Sequence, residues 1–180
     1  MSDLTVKREI TCDEALELLR ANQPIQDKIV VGQIDLVKFG DDAENFSVII
    51  DNSKIEGLFA QTINFKKQVV IRNSHIGKCD FGFAYFTGGL LITNSVFYSD
   101  LDFQCGGHNK QENKIELIDN DFRGFANFFD CIYNGPVIVK RNKFKLGTNL
   151  FGNKGKFWQP QFDSFIVNED NEGEINLTDE

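Results

Sequence analysis

The chain has 180 residues, 41% hydrophobic and 26% charged, with 19 Lys+Arg against 27 Asp+Glu for a formal net charge of -8. That length suits one ordinary domain, and the apolar share excludes a chain too polar to bury a core. No apolar run approaches the ~18 residues of a membrane-spanning helix, and the first residues lack the basic start and apolar stretch of a secretory leader. The expected setting is therefore the cytoplasm, with no membrane partner. The four cysteines (Cys12, Cys79, Cys105, Cys131) show no C-x-x-C spacing, so no disulfide framework, zinc site or other cofactor is expected. One oddity needs a cause: the chain holds 18 Phe beside one Met, one Trp and three Tyr, and every Phe lies after residue 38.

In chain order, Thr11-Cys12-Asp13-Glu14 has the form of a capping box, and "CDEALELLRA" continues with helix formers and apolar Ala15, Leu16, Leu18 and Leu19. The pattern predicts a short helix over 12–21, ended by Pro24, whose apolar face covers the first repeat. Residues 1–27 are read as this N-terminal segment.

From residue 28 the sequence repeats. Val48-x-Ile50-x-x-Ser53-x-Ile55 returns as Val69-x-Ile71-x-x-Ser74-x-Ile76 and Leu90-x-Ile92-x-x-Ser95-x-Phe97. Two more copies are Ile115-x-Leu117-x-x-Asn120-x-Phe122 and Val137-x-Val139-x-x-Asn142-x-Phe144, the starts advancing by 21, 21, 25 and 22 residues. A fainter copy, Ile29, Gly32 and Ile34, sits 21 residues before Ile50, Ser53 and Ile55. Large apolar residues recur about five apart within a copy, which fits neither a helix nor one long strand but does fit short strands joined by corners.

The predicted architecture is all-β: a single solenoid of 21–25-residue coils over 28–168, each laid on the last by parallel hydrogen bonds ~4.8 Å apart. Ile55, Ile76, Phe97, Phe122 and Phe144 form one inward column, and Phe59, Phe81, Leu101, Phe128 and Leu150 a second. Stacked rings in a narrow interior account for the Phe excess. Ser53, Ser74, Ser95, Asn120 and Asn142 form a polar column able to hydrogen-bond from coil to coil. Asp163-Ser164-Phe165 marks a last partial coil, and the acidic stretch 169–180 reads as a flexible tail.

Segments such as "CDFGFAYF", "SDLDF" and "ANFFDC" carry a resemblance to the pentapeptide-repeat family, in an irregular variant, over roughly residues 48–155. The resemblance implies a right-handed parallel β-helix of squarish cross-section. It also brings a functional expectation, because some members are acidic rods that resemble duplex DNA and modulate type II topoisomerases. Here the charge lies at the ends: residues 28–157 hold 16 basic and 14 acidic groups, whereas 158–180 hold none and seven.

No set of nucleophile, base and orienter is visible. His75 takes an outward position, and His108 lies in a four-residue polar insertion within "CGGHNKQENK" at 105–114. Asp100 and Asp102, and likewise Asp119 and Asp121, have the spacing of paired carboxylates on one strand face, as glycan chemistry needs, but also of an ordinary solvated face. Cys105 and Cys131 are read as neighbours in one column. Lys140, Arg141, Lys143 and Lys145 form a basic cluster suited to an acidic partner or to the chain's own acidic end, and with His108 they make the candidate interaction surface. The expectation is a non-catalytic protein–protein interaction or scaffold module rather than an enzyme or nucleic-acid binder, with an unidentified protein partner or a homodimer through a solenoid end. A topoisomerase modulator and a small glycan-binding or glycan-active β-helix are the alternatives.

Overall fold

The structure is a computed structural model and describes residues 7–178. Its strands lie in parallel sheets with few helices, an arrangement consistent with a parallel β-solenoid. One sheet stacks Ile25–Gln26, Ile49–Asp51, Val69–Arg72, Leu90–Thr93, Ile115–Ile118, Val137–Lys140 and Ile166–Glu169 in chain order. A second stacks Arg8–Thr11, Lys28–Asp35, Lys54–Phe59, His75–Asp80, Val96–Phe97, Asp121–Phe122, Lys143–Phe144 and Glu172–Gly173, with Leu101–Asp102 and Ala126–Asn127 joined at its side.

The corner between the two sheets is written into the sequence. Asp27, Asn52, Asn73, Asn94, Asp119 and Asp170 all stand at positive φ, as does Arg141 at 52°. Asn and Asp tolerate this left-handed backbone better than other side chains, so they bend the chain at the same place in each coil. The next residue then ties the coils together. Ser53 Oγ accepts the Lys28 N–H at 3.1 Å, Ser74 Oγ the Ser53 N–H at 3.1 Å, and Ser95 Oγ the Ser74 N–H at 3.2 Å. Asn120, Asn142 and Asn171 continue the ladder through their Oδ1 atoms at 3.0, 3.0 and 2.9 Å. All the donors but Lys28 are buried residues, whose N–H groups would otherwise be costly orphans.

Inward of the ladder, Ile55, Ile76, Phe97, Phe122 and Phe144 align as expected and are all buried. The three rings stack at centroid spacings of 5.3 and 5.0 Å. The second expected column forms only in part: Phe81 and Phe128 share it, whereas Phe59 and Leu101 stand outside it. Phe59 pairs with Asp80 and Leu101 with Cys79, so the small residues Cys79, Ala126 and Thr148 share a column with Leu58 and Leu101. The rings stand two residues further on, where Phe81, Phe103 and Phe128 stack at 5.6 and 5.0 Å. Leu101 takes the place that small residues fill in its neighbours, and that substitution misaligned the pattern.

Helix α1 spans Cys12–Arg20 with both capping-box bonds made, Glu14 N–H to Thr11 Oγ1 at 3.2 Å and Thr11 N–H to Glu14 Oε2 at 2.9 Å. It buries Ala15, Leu16 and Leu19 over the first coil. From residue 7 onward the N-terminal segment is more than a cap, however. Arg8–Thr11 pairs with the strand starting at Lys28, and Ile25 pairs with Ile50, so the first coil steps by 25 residues rather than 21. A bulge between Val30 and Gln33, together with the 3-10 segment Leu36–Asn45, takes up the extra length.

The other end also departs from expectation. The last coil begins at Ile166, after a 29-residue step, and not at Asp163. The intervening chain loops out through Asn153 and Gly155, both at positive φ, and leaves Phe157 90% exposed. As far as residue 178, the stretch read as a tail lies along the coil before it: Thr148 N–H donates to Glu174 O at 2.8 Å and Leu177 N–H to Thr148 O at 3.1 Å. Its acidic composition hid a coil whose charges match the basic coil beneath. The outermost parts of the N-terminal segment and of the expected tail, residues 1–6 and 179–180, lie outside the described residues.

Candidate functional site

A second set of left-handed corners comes after the ring column: Thr62, Phe83, Cys105, Asp130 and Asn153, with φ between 53° and 61°. Phe83 is out of place there. A bulky aromatic is a poor occupant of this conformation, and its ring is 51% exposed instead of buried. Tyr85, two residues on, is 40% exposed and bridges Asn64 and Gly107 in the coils on either side. His108 packs its imidazole against the Tyr85 ring at 4.2 Å between centroids, and burial pushes its pKa below the usual histidine range. Gly107, beside His108, lets the following coil approach closely, because a Cβ there would collide with the Ile132 carbonyl. Further along the same side, Phe129 stacks on Trp158 at 5.9 Å. The result is an aromatic strip crossing several coils at one corner.

Carboxylates border the strip. Asp80 accepts the Gly82 N–H at 2.9 Å and Gln61 Nε2 at 2.6 Å. Asp102 Oδ1 accepts the Gln104 N–H at 2.9 Å and Asn127 Nδ2 at 3.0 Å. Burial pushes the Asp102 pKa up, with help from the negative charges of Asp80 and Asp100. Asp130 shares the corner column with Phe83.

The basic cluster meets the chain's own acids. Lys140 Nζ lies 2.8 Å from Glu169 and Lys143 Nζ 3.7 Å from Glu172, both in the final coil. Arg141 holds Asp119 in a bidentate pair at 2.7 and 2.8 Å, which lowers the Asp119 pKa. Lys145 and Arg123 both reach Asp121 Oδ2, at 3.2 and 2.9 Å. His108 sits with the aromatic strip instead. The structure therefore brings Lys140, Arg141, Lys143 and Lys145 to four carboxylates of neighbouring coils and does not join His108 to them.

The other candidates are likewise engaged in the frame. Asp119 and Asp121 are paired with cations, while Asp100 Oδ1 accepts the Phe125 N–H at 2.8 Å, so the two carboxylate pairs do not converge on a common point. His75 Nδ1 hydrogen-bonds the Tyr98 hydroxyl at 2.9 Å, and the Arg123 guanidinium lies 4.7 Å from the Tyr98 ring. Cys105 is level with Asp130, one position off the column of Cys131. Cys131 is buried with Sγ on the Phe103 carbonyl at 3.0 Å, and burial pushes its thiol up to about 12. The signal that would have found the aromatic corner is an aromatic residue where the other coils carry Thr, Cys, Asp or Asn.

No family model matches this chain, and none of the curated proteins or solved structures compared with it does. Among the described residues no helix is long and apolar enough to cross a membrane.

Proposed function

We propose that this chain is a non-catalytic protein–protein interaction or scaffold module of the cytoplasm, built as a right-handed, pentapeptide-repeat-like parallel β-helix, and that its partner docks on the corner of Phe83, Tyr85 and His108. Phe83 carries this reading. A solvent-facing ring at a left-handed corner is unfavourable in two ways, since the backbone costs about 1–2 kcal/mol and the apolar surface stays wet. Asn or Asp would relieve both, so a half-exposed phenylalanine is a poor choice for the free protein at this corner. A bound partner would gain from it, because rigid aromatic side chains are the usual anchors of interfaces. The engaged carboxylates support a non-catalytic reading over glycan cleavage. The pairing of Glu169 and Glu172 with lysines supports it over an acidic, DNA-like rod.

A photo-crosslinking amino acid placed at position 83, and at exposed Leu146 as a control, tests this in the cells that make the protein. A discrete adduct from position 83 and none from 146 is expected. Equal or absent crosslinking at both positions contradicts the reading.

A further inference from the structure

We propose that the cleft between Lys54, His75 and Tyr98, on the outer face of the second sheet, binds a phosphate group, free or carried on a small ester. This site goes beyond the interaction-module reading and does not rest on it.

The cleft has a volume of about 440 Å³, inside the range of about 300–1,000 Å³ usual for small-molecule sites. Lys54, Glu56, His75, Gly77 and Tyr98 are among the residues that line it. Lys54 and His75 are direct partners on adjoining strands, and both face outward because their neighbours Ile55 and Ile76 are buried. Gly77 contributes no side chain, and none would fit, because a Cβ there would collide with the Glu56 carbonyl.

The imidazole in this cleft is held in place. His75 Nδ1 shares a hydrogen bond with the Tyr98 hydroxyl at 2.9 Å, and the two rings stack at 5.9 Å with planes 25° apart. Arg123 lies over the Tyr98 ring at 4.7 Å and completes the stack. When the Tyr98 hydroxyl donates to Nδ1, the ring proton sits on Nε2; in the imidazolium both nitrogens carry protons. Nε2 is a donor in both forms.

The charges around His75 are mainly positive. Burial, then the charges of Lys7, Arg123 and Lys54, push its pKa below the usual histidine range. Among the described residues Lys54 forms no ion pair. The nearby acids are occupied by the frame: Glu56 Oε2 accepts the Gly32 N–H at 2.7 Å, and Asp121 Oδ2 holds both Arg123 and Lys145. A phosphate brings close to two negative charges and three acceptor oxygens at neutral pH. It can therefore take the Nε2 proton donor and the Lys54 ammonium together, which a carboxylate with one charge does less well.

Proton NMR of the full chain follows its two histidines across pH in inorganic phosphate and in phenyl phosphate, each against chloride at equal ionic strength. His108→Gln assigns the two signals. A bound anion favours the imidazolium, so the His75 midpoint should move up by about 1 pH unit or more, while that of His108 stays in place. Lys54→Gln, checked for folding by thermal unfolding, should weaken the response to phosphate at least about tenfold, since a charged hydrogen bond is lost. Tighter binding of phenyl phosphate identifies an ester as the ligand, and tighter binding of inorganic phosphate identifies the free anion. Equal movement of both histidines, no movement of His75, or an undiminished response in folded Lys54→Gln overturns the proposal.

Discussion

Asn142 holds Asn120 twice: its Oδ1 accepts the backbone N–H of Asn120 at 3.0 Å and the Asn120 side-chain amide at 2.9 Å, while its own Nδ2 donates to the Leu117 carbonyl at 2.8 Å. Asn142→Ala removes all three bonds and leaves a buried N–H without a partner. Unmade buried bonds cost about 1–3 kcal/mol each, so urea unfolding should show a loss of about 3 kcal/mol. Asn142→Ser should lose less, since Ser fills the same position in three other coils. Equal losses for the two variants would refute the ladder's role.

Phe122 is sandwiched between Phe97 and Phe144. Truncation to Ala opens a cavity in a stack that cannot collapse sideways, with an expected cost of about 3–5 kcal/mol. Phe122→Ile should recover much of that, because Ile55 and Ile76 occupy the same column. Chemical denaturation of both variants is the measurement.

Burial, then the charge of Asp80 and Asp100, raises the Asp102 pKa in the folded state. A raised carboxyl favours folding when protonated, so its contribution is complete in acid and disappears as pH rises through the raised value. Asp102→Asn keeps an acceptor for Gln104 and matches Asn127, its counterpart in the next coil. The variant should be more stable than the parent at pH 7, with the advantage vanishing below the ordinary aspartate pKa of ~3.9. A pH-independent difference would contradict this account.

The final coil acts through its backbone more than its charges. The Lys143–Glu172 pair is mostly exposed, so Glu172→Gln should change stability by no more than about 1 kcal/mol. Deleting residues 166–178 is different. It uncovers the edge of Val137–Lys140 and strips Asn142 of its Asn171 contacts. Open parallel edges recruit other chains, and size-exclusion chromatography should show oligomers or aggregate.

The sequence made the ladder, the Ile-to-Phe column and the capped start legible because each is carried by a residue type that one position demands. It misplaced the second ring column because Leu101 stands where Cys79, Ala126 and Thr148 stand in other coils, and side-chain type alone does not distinguish a tolerated large residue from the repeat's large position. It also hid the last coil, whose inward ring position is taken by Gly173 in place of phenylalanine. The aromatic corner was invisible for a related reason. In a chain with so many inward Phe residues, Phe83 is told apart only once the coils are aligned in the right register, which sets it level with Thr62, Cys105 and Asp130.

The unequal coil steps have a consequence for any partner. Between Ile50, Ile71 and Ile92 the advance is uniform, and a ligand gripping only those coils would find equivalent seats one coil apart. The later steps of 25, 22 and 29 residues break that degeneracy, because each gives its coil a different outline. Phe83 occurs once along the rod, beside the first of these irregular steps. For the proposed partner the irregularity would act as an address, fixing where along the coils it can stop.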